Sequence, residues 1–196
     1  MDSILATRDR YPDFADRLPR TGAALEFARA RHAGQRRESD DAPFVMHPIE
    51  VATILYDAGY PDDVIAAGAL HDVIENTDTT TQDIADRFGA RVALLVTAVT
   101  ENPAIEADTD RKAALRVQVA RAGETAAAVF AADKISKVRE LRLRGSSGRL
   151  DDASREKIAH YEASLEMLAE EIPGHELVEQ LRLELEALRA LPAGRA

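Results

Sequence analysis

The segment that most restricts the fold is PDDVIAAGALHDVIEN, residues 61–76, where acids and a histidine interrupt an otherwise apolar pattern. Its apolar residues recur along one broad helical face: Val64, Ile65, Ala69, Leu70, Val73 and Ile74. This spacing predicts one helix deep in a core. On such a helix Glu75 lies beside both His71 and Asp72, and Asn76 follows Asp72 by one turn.

The buried position predicted for His71 and Asp72 has a chemical consequence. An unpaired carboxylate is unfavourable in an apolar interior, so the two side chains need a metal ion or a basic residue as partner. Two interpretations stay open from this segment alone. Both residues are metal ligands, or Asp72 forms a local cap or salt bridge and His71 is a hydrogen-bonded core histidine.

The rest of the chain also has helical periodicity, without strand alternation, a glycine-rich phosphate loop or an internal repeat. Gly59 and Gly89 are helix stops, and Thr80 with Asp83 matches a capping box. Residues 90–101 have a mixed pattern, which their neighbours favour as helix. We predict an all-α bundle of about eight helices.

The domain organisation predicted from these patterns is simple. A length of 196 residues fits one domain, taken as residues 1–196. Residues 145–152, GSSGRLDD, are linker-like but too short to separate two domains. Residues 151–190 carry two amphipathic helices, whose stripes fit either completion of the chain's own core or self-association. The sequence therefore determines no oligomeric state.

Composition excludes several classes of function. Cysteine is absent, which excludes disulfides, thiolate metal sites and cysteine nucleophiles, so nitrogen and oxygen must hold any metal. The net charge of −10 argues against general nucleic-acid binding, which requires Lys and Arg to neutralise phosphates. No apolar run is long enough for a signal peptide or a membrane span. We therefore predict a cytoplasmic protein without a nucleic-acid or membrane partner.

Two further residues are candidates for the same site. Asp133 lies within AAAVFAADKI, residues 126–135, where both burial and helix propensity disfavour an acid. Lys137, one helical turn further on, is the simplest ion-pair partner for it. His47 precedes Pro48 at a predicted helix start, where its ring could point inward or lie on the surface.

Together, His47, His71, Asp72 and Asp133 resemble the metal ligands of the HD phosphohydrolase superfamily, which is named after its adjacent His-Asp pair. The resemblance covers residues 27–142 and is closest to the branch that hydrolyses guanosine tetra- and pentaphosphate. It rests on blocks in family order: HAGQRR, FVMHPIEVATIL, ALHDVIENTDTT, FGARV and ADKISKVREL. The long members of that branch carry a nucleotide-synthesising domain after the hydrolase domain. The resemblance of this chain covers only the hydrolase domain, so it implies only the hydrolytic activity.

The resemblance implies a metal-dependent reaction. Mn²⁺ is the implied ion, and Zn²⁺ or Fe²⁺ also suits imidazole and carboxylate ligands. The implied reaction is hydrolysis of the 3′-diphosphate of a guanosine nucleotide by a metal-activated water, which releases pyrophosphate. Glu75 matches the family's first catalytic acid. Asn76 stands at the neighbouring catalytic position, where the relatives usually have an aspartate, and an amide cannot act as a general base.

The resemblance also suggests substrate contacts. In the relatives the residues after the H-x-x-Q pattern contact nucleotide, which points to Arg36 and Arg37. Lys137 stands where the relatives commonly have an asparagine near the nucleotide, and Arg139 follows in the same block. Several phosphates require such donors, although a plain salt bridge is the alternative for Arg139.

The departures at Asn76 and Lys137 keep two other functions open. One is an HD phosphatase that acts on another nucleotide or dinucleotide. The other is a non-catalytic nucleotide-binding module with a structural metal.

Overall fold

The computed structural model describes residues 11–146 and 152–191. Within these ranges the chain forms ten α-helices, a 3₁₀-helix at Asp13–Asp16 and no β-strand. The α-helices are α1 (Pro19–Arg31), α2 (Met46–Asp57), α3 (Asp62–Leu70), α4 (Val73–Asn76), α5 (Thr81–Phe88), α6 (Ala90–Val99), α7 (Asp108–Ala122), α8 (Glu124–Ser146), α9 (Asp152–Glu171) and α10 (Glu176–Arg189). The all-α prediction is confirmed. The N-terminal residues searched for a signal peptide and most of the linker-like segment lie outside the described residues.

Helix α3 lies at the centre of the core because its sequence is apolar on every side. All residues from Val64 to Leu70 are buried, and the helix packs against α1, α2, α6 and α8. Gly68 permits a close approach of α2, since a Cβ at this position would lie only 2.4 Å from Leu55 Cδ1. The core therefore depends on the absence of a side chain at this one position.

The helix predicted over residues 61–76 is interrupted at its polar pair. Helix α3 ends at Leu70, His71 and Asp72 form a turn, and α4 begins at Val73. Asp72 has φ −93° and ψ −6°, in the sparsely populated bridge region where many active-site residues are found. Regular helical spacing therefore does not alone determine how Glu75 lies relative to this pair.

Helix α8 is the second central element. Its alanine-rich residues 126–132 are all buried, and it packs against α2, α3, α6, α7, α9 and α10. Because small side chains bring the neighbouring helices close, Asp133 follows them into the interior at 7% exposure. Helix α8 thus carries an acid to the same depth as α3.

The C-terminal helices complete the core of the chain itself. Leu177, Leu181 and Leu185 of α10 are buried in the hydrophobic cluster, and α10 packs against α8 and α9.

Among the described residues, no helix combines the length and apolarity that a bilayer span requires.

Candidate metal centre and adjoining cavities

Three side chains from distant parts of the sequence converge between α2, α3 and α8. His47 Nε2 lies 3.1 Å from His71 Nε2 and 3.2 Å from Asp133 Oδ1. The distance from His71 Nε2 to Asp133 Oδ1 is 3.4 Å. These three residues form a group whose ligand atoms are close enough to hold one metal ion.

Asp72 lies against the same group. Its Oδ1 is 3.3 Å from His71 Nε2, and its Oδ2 is 3.5 Å from His47 Nε2. All four side chains belong to buried residues, and His47 is completely inaccessible. The structure thus brings together the four residues that the sequence analysis selected.

Hydrogen bonds outside the cluster assign the tautomers of both histidines. His71 Nδ1 donates to the carbonyl oxygen of Gly68 at 2.8 Å. His47 Nδ1 lies 2.8 Å from Ser136 Oγ, and that hydroxyl donates to Glu50 at 2.8 Å, so it accepts from the histidine. Each ring therefore turns an Nε2 lone pair towards the other. Metal-binding histidines are held in the same way, by a hydrogen bond at the ring nitrogen that does not bind the metal.

This arrangement favours a bound cation. Two imidazole nitrogens face each other, and Asp133 Oδ1 is buried without a hydrogen-bond partner, a combination that is unfavourable unless positive charge lies between the atoms. Two atoms bound to one ion at about 2.1 Å each stand about 3.0 to 3.4 Å apart. The separations among His47, His71 and Asp133 fit that range, and the nitrogen and oxygen donors suit Mn²⁺, Fe²⁺ or Zn²⁺.

The pKa values show where a proton would take the place of that cation. Burial opposes a charge on His71, but the Asp72 and Asp133 carboxylates outweigh burial and raise the pKa of His71 to about 10. Burial and the charge of Lys137 lower the pKa of His47 to about 4. Burial raises the pKa of Asp133, but Lys134 and the two histidines hold it well below its usual value. At neutral pH the metal-free cluster therefore carries one proton, on His71.

Two cavities border the cluster. The large cavity has a volume of about 570 Å³, within the size range of small-molecule sites. It is lined by Gln35, Arg36, Arg37, Glu38, Ser39, Phe44, Asp72, Glu75, Asn76, Lys137, Glu140, Leu141, Arg144, Lys157 and Tyr161. The small cavity, of about 210 Å³, is lined by His71, Asp72, Glu75, Val99, Glu101, Lys112, Leu115, Asp133, Lys134, Lys137, Lys157, His160 and Tyr161.

Glu75 lines both cavities. Its Oε1 accepts a hydrogen bond from the backbone N–H of Glu101 at 2.5 Å. Burial, followed by the charge of Asp72, raises the pKa of Glu75 to about 7. A carboxyl group with that pKa can give or take a proton near neutral pH. Asn76 lines the large cavity, and its backbone carbonyl oxygen accepts a hydrogen bond from Gln35 Nε2 at 2.9 Å.

Three of the four predicted substrate contacts line the large cavity. Arg36 Nη1 donates to the carbonyl oxygen of Asp41 at 2.8 Å. Arg37 pairs with Asp40 and lies 3.6 Å from Glu140. Lys137 Nζ lies 3.5 Å from Asp72 Oδ2 and 5.6 Å from the centre of the Phe44 ring.

Arg139 does not line either cavity. Its guanidinium pairs with Glu184 at 2.7 Å and with Glu50 at 3.1 Å. It follows Asp133 by six residues on one helix, about 240° around the axis, so it points away from the face of Asp133. Of the two interpretations of Arg139, the structure favours the salt bridge.

The ion pairs of the lysines also differ from the simplest expectation. Lys134 Nζ pairs with Asp133 Oδ2 at 2.7 Å, whereas Lys137, the expected i+4 partner of Asp133, lies beside Asp72. A lysine side chain is long and flexible enough to reach the carboxylate of the preceding residue. Helical spacing alone therefore paired the wrong lysine with this acid.

Several residues of the cavities were missed by sequence reasoning. Glu140 and Arg144 follow Asp133 by seven and eleven positions, so the helical repeat extended from that acid could have identified them. Lys157, His160 and Tyr161 come from α9, and all three line the small cavity. No pattern in the sequence indicated that α9 would cover the site.

The chain is similar in sequence to a family of known proteins. A family model described as HD domain matches residues 24–159. Human guanosine-3′,5′-bis(diphosphate) 3′-pyrophosphohydrolase MESH1 is 38% identical over 121 residues, which cover 60% of this chain and 67% of the human protein. The enzyme of the same name from Aquifex aeolicus is 43% identical over 91 residues, 46% of this chain but only 12% of that protein.

A solved structure has the same fold. It is described as a metazoan ortholog of SpoT that hydrolyses ppGpp and plays a role in starvation responses. The TM-score is 0.74 at 27% identity, and the match covers 93% of this chain and 99% of the other. The lmo0812 structure from Listeria monocytogenes EGD-e matches with a TM-score of 0.65 at 28% identity, over 74% of this chain and 97% of the other.

Proposed function

Because the chain belongs to the HD domain family, we propose that it is a metal-dependent guanosine 3′,5′-bis(diphosphate) 3′-pyrophosphohydrolase. The observation that carries the proposal is the position of the His47, His71, Asp72 and Asp133 cluster. It borders a cavity of nucleotide size that also contains Glu75 and several basic side chains. Two similar proteins, from human and Aquifex aeolicus, bear the name of this activity.

We propose that His47, His71, Asp72 and Asp133 hold Mn²⁺, since their mixed imidazole and carboxylate donors suit that ion. When bound, a divalent ion supplies polarisation of a phosphoryl oxygen and activation of water. The outer hydrogen bonds keep both histidines in the ligand tautomer, through Gly68 for His71 and Ser136 for His47. Both histidine nitrogens are therefore oriented for metal binding before the ion binds.

The proton transfer is assigned to Glu75. Its carboxyl group, with a pKa of about 7, takes the proton from the attacking water, whose oxygen joins the phosphorus attached to the 3′ oxygen. The bond between that phosphorus and the 3′ oxygen breaks, the 3′ oxygen takes up a proton from solvent water, and Glu75 returns its proton to solvent. The products are guanosine 5′-diphosphate and pyrophosphate. The Asn76 amide neither takes up nor releases a proton near neutral pH, and Asn76 is assigned an orienting hydrogen bond.

The nucleotide is assigned to the large cavity. Arg36, Arg37 and Lys137 all line it, which supplies several cationic donors for a polyphosphate. Phe44 offers an apolar ring beside Lys137. Arg139 is left out of this set because its two glutamate partners hold it elsewhere.

A single domain and a cytoplasmic location are parts of the same proposal. The family model spans residues 24–159, and α10 joins the same core beyond that range. An intracellular nucleotide as substrate agrees with that location.

The proposal is tested by supplying the Mn²⁺-loaded protein with guanosine tetraphosphate and a nucleotide panel, and identifying the products by phosphorus NMR. Pyrophosphate and guanosine 5′-diphosphate are expected in equal amounts. Orthophosphate from another nucleotide would instead indicate a phosphatase, which Asn76 and Lys137 favour as the second candidate. Binding without any product from a folded, metal-loaded protein would refute an enzymatic role.

A further inference from the structure

The small cavity has a different character from the large one, although both border the metal-ligand cluster. Their common wall consists of five side chains: Asp72, Glu75, Lys137, Lys157 and Tyr161. At about 210 Å³, the small cavity falls below the range of about 300 to 1,000 Å³ that drug-sized ligands occupy. It has room for a small ion or group, and a whole nucleotide must lie elsewhere.

Four lysines surround this small volume: Lys112, Lys134, Lys137 and Lys157. Lys134 is only 8% exposed, and Lys112 has a side-chain exposure of 23%. Two acids that are not in the ligand cluster, Glu75 and Glu101, also line the cavity. Glu101 is held by Arg111 at 2.6 Å, and the pKa of Glu75 is raised to about 7 by burial and Asp72. Each lysine also pairs with one carboxylate: Lys112 with Asp108, Lys134 with Asp133, Lys137 with Asp72 and Lys157 with Glu38. Because an ammonium group has three N–H donors, each lysine keeps donors that an anion in the cavity can use.

His160 adds a neutral hydrogen-bond donor to the same cavity. Its Nδ1 lies 2.9 Å from Arg116 Nη1, and a guanidinium can only donate, so Nδ1 accepts. Burial, together with the charges of Lys134 and Arg116, lowers the pKa of His160 to about 3. The ring therefore stays neutral at physiological pH with its proton on Nε2, and it is 9% exposed.

From the cavity size, the lysines and His160, we infer that the small cavity binds the diphosphate group that leaves the 3′ oxygen, while the nucleoside diphosphate occupies the large cavity. This inference rests on the proposed function and adds to it a separate product compartment. Lys112, Lys134 and His160 are its specific contacts, since they line the small cavity alone. The shared wall, with Glu75 and Lys137, lies where the bond between the two product groups breaks.

The test asks whether inorganic pyrophosphate and guanosine 5′-diphosphate bind at the same time. Pyrophosphate is titrated calorimetrically into the full chain with and without saturating guanosine 5′-diphosphate. The Mn²⁺-loaded protein is used first, after removal of free ion. A chelator-treated sample is titrated in parallel, because pyrophosphate also binds free Mn²⁺. The expected result is one pyrophosphate per chain, with an affinity that guanosine 5′-diphosphate changes less than about threefold.

A matched pair of variants separates the two compartments. Lys112→Met should weaken the binding of pyrophosphate about tenfold, as expected for the loss of one charge-assisted hydrogen bond. The affinity for guanosine 5′-diphosphate should stay unchanged. Arg36→Ala, in the large cavity, should do the reverse. His160→Phe fills the ring volume without the donor and should also weaken pyrophosphate alone. Mutual exclusion of the two ligands, or unchanged pyrophosphate affinity in both Lys112→Met and a folded His160→Phe protein, would overturn the inference.

Failure of this inference differs from failure of the proposed function. If both ligands bind together but guanosine tetraphosphate is not hydrolysed, the small cavity is an anion site and the proposed reaction is wrong. If guanosine tetraphosphate is hydrolysed but the two products compete, the proposed reaction stands and the separate compartment does not exist.

Discussion

His47 Nε2 and His71 Nε2 face each other at 3.1 Å inside the core, although the residues are 24 positions apart. With the pKa of His47 lowered to about 4 and that of His71 raised to about 10, the metal-free cluster carries one proton at neutral pH. A metal ion must displace it. We therefore predict release of about one proton per ion, and an apparent affinity that rises about tenfold per pH unit between about pH 7 and 9.

Calorimetry of Mn²⁺ binding in two buffers of different ionisation enthalpy measures that proton. The sign follows from the raised pKa of His71, because the competing proton is bound below about pH 10 and lost above it. A binding enthalpy that does not depend on the buffer would contradict the assignment.

Replacing Glu75 should separate catalysis from metal binding. As a base it acts only when deprotonated, so kcat/KM of the wild type should rise with pH through about 7, its pKa. Glu75→Gln keeps an oxygen that can accept from the Glu101 amide but removes the titrating group. We expect kcat to fall by about 10²- to 10⁴-fold. The amount of bound Mn²⁺ should stay the same, and the rise of kcat/KM with pH should disappear. Glu106→Gln, in an exposed position, is the control, and a loss of bound metal in Glu75→Gln would argue for a ligand role.

Introducing an acid at position 76 should raise turnover. Asn76→Asp adds a carboxylate next to Glu75 in the large cavity, and we expect kcat to increase by about tenfold or more because a further proton acceptor becomes available beside Glu75. The steady-state rate of pyrophosphate release measures this change in kcat. Asn102→Asp adds the same charge at an exposed loop position. Equal turnover in Asn76→Asp and wild type would favour the non-catalytic binding module.

The two arginines Arg37 and Arg139 should behave differently. Arg139→Gln breaks ion pairs to Glu50 and Glu184 without touching either cavity, so we expect unchanged KM and a loss of about 1 kcal/mol in unfolding free energy. Arg37→Gln removes a cationic donor from the large cavity and should raise KM. Initial rates and urea denaturation on both variants test this contrast, and a raised KM in Arg139→Gln would return that residue to the substrate site.

Filling the space at Gly68 should destabilise the core. A Cβ there would lie 2.4 Å from Leu55 Cδ1, and both residues are fully buried, so Gly68→Ala should cost about 1 to 3 kcal/mol. Leu55→Ala removes the obstructing methyl groups. The double variant should therefore be more stable than the sum of the single changes implies, as measured by urea unfolding. Strict additivity would mean that α2 simply moves away.

The sequence determined much of the local structure and the identity of the cluster. Helical periodicity predicted the all-α fold, and the capping box at Thr80 and Asp83 is present as expected. Residues 90–101, whose pattern was mixed, contain helix α6. The unfavourable burial of polar groups pointed to His71, Asp72 and Asp133, which the structure brings together. Their role as metal ligands stays a prediction for metal analysis.

Only the tertiary structure decided how those residues are partnered. It interrupts the helix at His71 and Asp72, pairs Asp133 with Lys134, turns Arg139 towards Glu184, and brings His160 of α9 to the small cavity. Helix periodicity depends on neighbours three and four residues away, so it can be recognised in a short window. The walls of the cavities depend on which distant helices share buried surface, and side chains of the same type compete there for the same few partners. That competition is resolved only when the whole core packs.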